Sequence, residues 1–196
     1  MNRSAAAMLI SACVLAACGR VPLRQPASAD KAAPVTWQSV YATNCAACHG
    51  ADGRLGGARP MNDATYLASI PRERLEMVVA QGQGKLMPAM ATSHGGAVDD
   101  AAVRTLVEGM VQAWGKGGAA AAVAWEGPLG DAASGAGVYA VACQTCHGAP
   151  DGKAPGTRGS VTDPNYLRLV SDQALRSAVV FGRTDLQAGC AGPYPG

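Results

Sequence analysis

Large side chains are scarce in this sequence of 196 residues: aromatics make up 5 %, and Phe181 is the only phenylalanine. A chain with so little bulk builds a thin core, and small domains of that kind depend on a staple. Long runs of one charge are missing too. The formal charge is +2 with acidic and basic residues interspersed, which excludes a nucleic-acid-binding role. No apolar run is long enough for a permanent membrane helix; the best, Ala5 to Ala17, falls short. Nor is there a Ser/His/Asp set, a phosphate-cradling glycine motif or a carboxylate pair in an acid–base context.

What is present is a short pattern that occurs twice. Cys45-Ala46-Ala47-Cys48-His49 and Cys143-Gln144-Thr145-Cys146-His147 are both Cys-x-x-Cys-His, the attachment signature of a c-type haem. On a helical turn, residues three and four apart share a face. Cys45 and Cys48 therefore reach one porphyrin edge, and His49 projects beside them toward the iron. Cys143, Cys146 and His147 repeat the set, so two covalently bound haem c groups are expected. Two other readings use the same residues. A zinc ribbon spaces its cysteine pairs about 15–20 residues apart, far closer than Cys48 and Cys143. A thioredoxin-type dithiol needs a βαβ setting, which the sequence does not show. A buried haem would also serve as the missing staple.

The N-terminus reads as a targeting segment, with Arg3 ahead of the apolar stretch. Leu15-Ala16-Ala17-Cys18-Gly19 resembles the lipobox of bacterial lipoproteins. That resemblance implies a signal peptide over 1–17, acylation of Cys18, and a lipid anchor on the periplasmic side of an inner or outer membrane; an ordinary secretory signal is the alternative. Residues 18–34, rich in Ala and Pro and without apolar periodicity, read as a flexible tether.

A first domain is expected over 35–114. A helix over 36–47 delivers the cysteines, and Gly50, Gly53, Gly56 and Gly57 mark a loop. A short helix over 63–69 turns Tyr66 and Leu67 toward the haem. Another follows over 72–81 with Leu75, Val78 and Val79 apolar, ended by Gly82. Asp99 reads as the N-cap of the clearest helix, whose Val103, Leu106, Val107, Met110, Val111 and Trp114 form one stripe. The N-terminal helix is its natural partner. Between these helices lies Lys85-Leu86-Met87-Pro88-Ala89-Met90. On these features the domain resembles a class I cytochrome c, whose motif follows the first helix and whose distal ligand sits in a Met-Pro loop. The resemblance implies Met87 as the sixth iron ligand, with Met90 the runner-up; a thioether there raises the potential. Met61 and Met110 read as core side chains, and His94 as a surface residue.

A linker is expected over 115–135, and then the chain repeats over 136–196. Val138-Tyr139-Ala140 echoes Val40-Tyr41-Ala42, and Asp163 to Leu167 echoes Asp63 to Leu67. Ser171 is placed as the N-cap of a helix ending at Gly182, with Leu175 and Val179 inward. Arg183 reads as a propionate partner or a plain surface residue. The expected fold is all-α, with two tandem cytochrome c-like domains, the second C-terminally incomplete. No Met follows Met110 and no His follows His147, so the distal ligand of the second haem is open. Four readings stand: an open or water-ligated iron, a Cys190 thiolate, a ligand donated by a partner or by domain one, or a C-terminus that is not the full functional one.

The resemblance implies an electron carrier more than an enzyme, relaying single electrons between respiratory partners such as a quinol-oxidising complex and a terminal oxidase. The alternative is a haem enzyme, or a gas or peroxide sensor, working through the second haem.

Overall fold

A computed structural model describes residues 34–154, 156–158 and 160–186. The expectations for Cys18, the signal segment and Cys190 lie outside them. The compact unit that begins at Val35 is helical, and among the described residues there is no strand beyond isolated bridges such as Gln83 with Met87.

The first repeat contains α1 (Trp37–Asn44), α2 (Ala46–His49), α3 (Ala64–Ser69), α4 (Arg72–Gln81), a 3-10 turn over Thr92–His94, and α5 (Asp100–Trp114). The starts of α1, α3 and α5 are set by side-chain caps. Thr36 and Ser39 form a capping box on α1, Asp63 accepts from Tyr66 N–H, and Asp99 accepts from Ala101 N–H. Gly82, at φ 79°, ends α4, a conformation glycine adopts without cost. The expected single helix over 36–47 is instead two, meeting at Cys45, where φ widens to −117°.

The core forms where α5 lies on α1, α3 and α4. Leu106, Val107 and Met110 of α5 are fully buried with Leu75 of α4. Burying an aliphatic side chain of this size is worth about 1.5–3 kcal/mol, so this stripe dominates the repeat. Trp114 meets the rings of Trp37 and Tyr41 edge-on, with centroids 5.1 and 5.0 Å away.

The second repeat contains α6 (Ala132–Ala142), α7 (Gln144–His147), α8 (Pro164–Leu167) and α9 (Asp172–Phe181). α6 starts at Ala132, inside the expected linker, because Asp131 accepts from Ser134 N–H. The linker itself is partly packed. Trp125 is buried, its carbonyl accepts from Gln173 Nε2 and Arg176 Nε, and Ala121 N–H donates to Ser69 Oγ.

α9 corrects a second expectation. Val179 is 63 % exposed, and the buried residues are Ser177 and Phe181. That face turns toward the first repeat, where Phe181 meets the Tyr66 ring edge-on at 5.3 Å. Tyr66 accordingly packs against Phe181 and Arg59 and is not among the residues that line the cleft beside His49. No described helix is long and apolar enough to cross a membrane.

Candidate haem-binding site

Cys45 sits at the junction of α1 and α2, Cys48 within α2, and His49 at its end. One backbone turn holds them, with Cys48 N–H and His49 N–H both donating to Cys45 C=O at 3.1 and 3.0 Å. Gly50 closes the turn at φ 86°, and a Cβ there would lie 1.7 Å from Arg54 O, so only glycine fits. The Tyr41 hydroxyl donates to Gly50 C=O at 2.9 Å, bracing the motif against α1.

His49 Nδ1 lies 2.7 Å from Arg59 C=O. A carbonyl can only accept, so Nδ1 carries the proton and Nε2 is left with its lone pair, the tautomer of an axial ligand. Burial pushes the imidazole toward its neutral form, against the raising effect of that hydrogen bond. Burial also pushes the Cys45 thiol up to about 11, with Cys48 adding to it.

His49 and Cys45 open onto a cleft lined further by Tyr41, Val79, Leu106 and four methionines, Met61, Met87, Met90 and Met110. Its cavity volume is about 40 Å³, and the cleft is partly open to solvent. Met61 and Met110 are buried, as expected of core residues, yet they line the cleft as well. Met87 and Met90 lie in a loop tied down by Gln83 N–H to Met87 C=O at 2.9 Å and Met90 N–H to Val79 C=O at 3.2 Å. His94 is exposed in its 3-10 turn.

The donor set fits a covalent haem: two cysteines outside any disulfide, a neutral histidine with a free nitrogen, and an apolar slot carrying thioethers. No cluster of three His, Cys, Asp or Glu side chains suited to a metal ion occurs among the described residues.

The second motif repeats this geometry. Cys146 N–H and His147 N–H donate to Cys143 C=O at 3.1 and 2.9 Å, and the Tyr139 hydroxyl donates to Gly148 C=O at 2.8 Å. Arg158 N–H donates to Cys146 C=O at 2.8 Å, as Ala58 N–H does to Cys48 C=O at 2.9 Å. The surroundings differ. α6 has no buried residue, and Val138 and Val141 are 63 % and 87 % exposed. Gln187, in the stretch matching Met87, lies outside the described residues.

Arg59 and the two tyrosine hydroxyls were not singled out by sequence. The tyrosines carry a signal, the repeated Val-Tyr-Ala ahead of each motif. An arginine in a glycine loop carries none. Arg183 turns out to bond to Asp185 and to the Gly56 and Gly57 carbonyls of the first repeat.

This helical fold and its site geometry define a class I c-type cytochrome, built as tandem cytochrome c-like domains. Sequence comparison agrees: the family described as "Cytochrome C oxidase, cbb3-type, subunit III" matches residues 32–108 and 130–188, and the chain belongs to it. Covalently bound haem c is the cofactor of that class. A relative described as "Cbb3-type cytochrome c oxidase subunit CcoP", from Rubrivivax gelatinosus, is 30 % identical over 170 residues, which is 83 % of this chain. The chain spans about half the length of that relative, 51 %. Among solved structures, the "KustC0563 c-type cytochrome" is 25 % identical with a TM-score of 0.34, covering 38 % of this chain and 93 % of its own.

Proposed function

We propose that this chain is a membrane-tethered dihaem c-type cytochrome that passes single electrons between respiratory partners. The observation that carries the reading is the duplicated motif turn, with the same backbone and tyrosine hydrogen bonds at Cys45–His49 and at Cys143–His147. Cys45 and Cys48 hold one haem and Cys143 and Cys146 the other, with His49 and His147 as proximal ligands and Met87 as the distal ligand of the first. A bound haem supplies reversible one-electron chemistry at its iron. The chain's own residues orient His49 through the Arg59 carbonyl, line the slot beside it with apolar side chains, and set the donors.

The domains are read as 35–114 and 136–196 on either side of the linker 115–135. The segment 1–17 is read as a signal and 18–34 as a tether from an acylated Cys18, on the periplasmic side of the membrane. The likeness to an oxidase subunit supports a terminal oxidase, or the quinol-oxidising complex that feeds it, as partner. Low-temperature EPR on the oxidised full-length protein, with a count of covalent haems by mass, tests the reading. Two haems, at least one of them low-spin, are expected; a chain carrying one haem or none would sink it.

A second reading starts from Asp185-Leu186-Gln187-Ala188, which stands where the first repeat has Met87. A second haem with an open position would bind small molecules, as in a gas or peroxide sensor. A high-spin signal for that haem, with rapid ligand binding once reduced, would favour it over the relay.

A further inference from the structure

The loop between His49 and Pro60 is gripped from the second repeat. Arg183 Nη2 donates to Gly56 C=O at 2.9 Å, and its Nη1 reaches Gly57 C=O at 3.4 Å. Asp185 accepts from Leu55 N–H at 2.8 Å and also holds Arg183 at 3.0 Å. In the other direction, Arg59 Nη2 donates to the C=O of Ser177 on α9 and of Gly182 just after it, at 2.8 and 3.3 Å. Its guanidinium lies 4.4 Å from the Tyr66 centroid and 5.2 Å from that of Phe181. Asp63 faces it at 3.6 Å, both side chains largely buried. The same Arg59 supplies the carbonyl that accepts the hydrogen bond from His49 Nδ1–H.

Left alone, a segment with Gly53, Gly56 and Gly57 would wander, and so would that carbonyl. Five polar contacts with the second repeat stop it. The grip is one-sided in sequence, because Gly159 stands after Arg158 where Arg59 stands after Ala58.

We propose that the second repeat sets the ligand field of the first iron site, with Arg59 and Arg183 as positioning residues that hold the Arg59 carbonyl on His49. The inference rests on His49 being the proximal ligand. A firm bond from Nδ1–H makes the imidazole a stronger donor and favours ferric iron, while a loosened one shifts the balance to ferrous.

The test keeps charge constant. Arg59→Lys and, separately, Arg183→Lys in the full chain retain the positive charge but lose the planar fork that spans two carbonyls. The first haem is recognised by its methionine ligand, as the signal altered in Met87→Ala or Met90→Ala. Expected in both Lys variants are unchanged covalent haem content, shifted low-spin g-values and a raised midpoint potential for that haem, with the second haem's signal unmoved. Every tenfold change in the ferric-to-ferrous ratio reads as about 59 mV. Parental g-values and potential in both variants, or a lowered potential, overturn the coupling and leave the proposed function intact. A parent chain without haem on Cys45 and Cys48 overturns both. Should Arg59→Lys fail to hold haem, Arg183→Lys alone decides.

Discussion

Gly109 of α5 lies directly beneath Trp37 of α1: a Cβ at Gly109 would stand 2.1 Å from Cγ of the indole and 2.5 Å from its Cβ. These are the near atoms of the tryptophan, so no swing of the ring clears them. Alanine would add helix propensity worth about 1 kcal/mol, but it would push the two core helices apart. Gly109→Ala is expected to lower stability by roughly 1–3 kcal/mol net, read as a fall in the denaturant midpoint at unchanged slope.

Tyr41 is 2 % exposed, and burial foremost pushes its phenol up to about 12. Because the folded value lies above the unfolded one of about 10, the neutral phenol's contribution is complete below that pH and is lost as pH climbs through about 12. One tyrosine is therefore expected to ionise about two pH units late in an ultraviolet titration. Tyr41→Phe should remove that late step and cost about 1 kcal/mol for the lost bond to Gly50 C=O.

Met87 and Met90 are separable by substitution. If Met87 is the distal ligand, Met87→Ala should abolish the sulfur-to-iron charge-transfer absorption and lower the potential of the first haem. Met90→Ala should leave the absorption in place. The reverse pattern would hand the role to Met90.

Gly82 guards the same loop. Its φ is 79°, and a Cβ would lie 2.4 Å from Met87 C=O. Gly82→Ala is expected to displace the methionine loop, weakening the charge-transfer absorption with covalent haem retained.

The surface ion pair of Arg74 with Glu126, at 3.1 Å, offers a contrast. Both side chains are about half exposed, so Arg74→Gln should change stability by less than about 1 kcal/mol. A larger loss in thermal unfolding would mean that the linker docks more tightly than its exposure suggests.

Local chemistry was readable from sequence. The motif spacing, the caps at Asp99 and Ser171, and the α5 stripe are written within a turn or two of chain, and the structure carries both caps and buries most of the stripe. What escaped depends on residues more than a hundred positions apart. Val179 was placed inward because it follows Leu175 at helical spacing, but the face that α9 buries is chosen by Tyr66 and Arg59. Arg59 itself looks like any loop cation until Ser177 and Gly182 supply its acceptors. The break at Cys45 is likewise invisible in an alanine-rich helical run.

The docked linker carries a consequence for how the gene tolerates length changes. From Gly118, pressed on Ala64 C=O, through Ala121 on Ser69 to Trp125 under Arg176, the strap is measured residue by residue against the first repeat and α9. Inserted residues there would throw every later contact out of step. Pro128, Leu129 and Gly130, all exposed and ahead of the Asp131 cap, have no such register to keep. That short stretch is where natural insertions, protease sites or an engineered tag would be absorbed with the two repeats still in place.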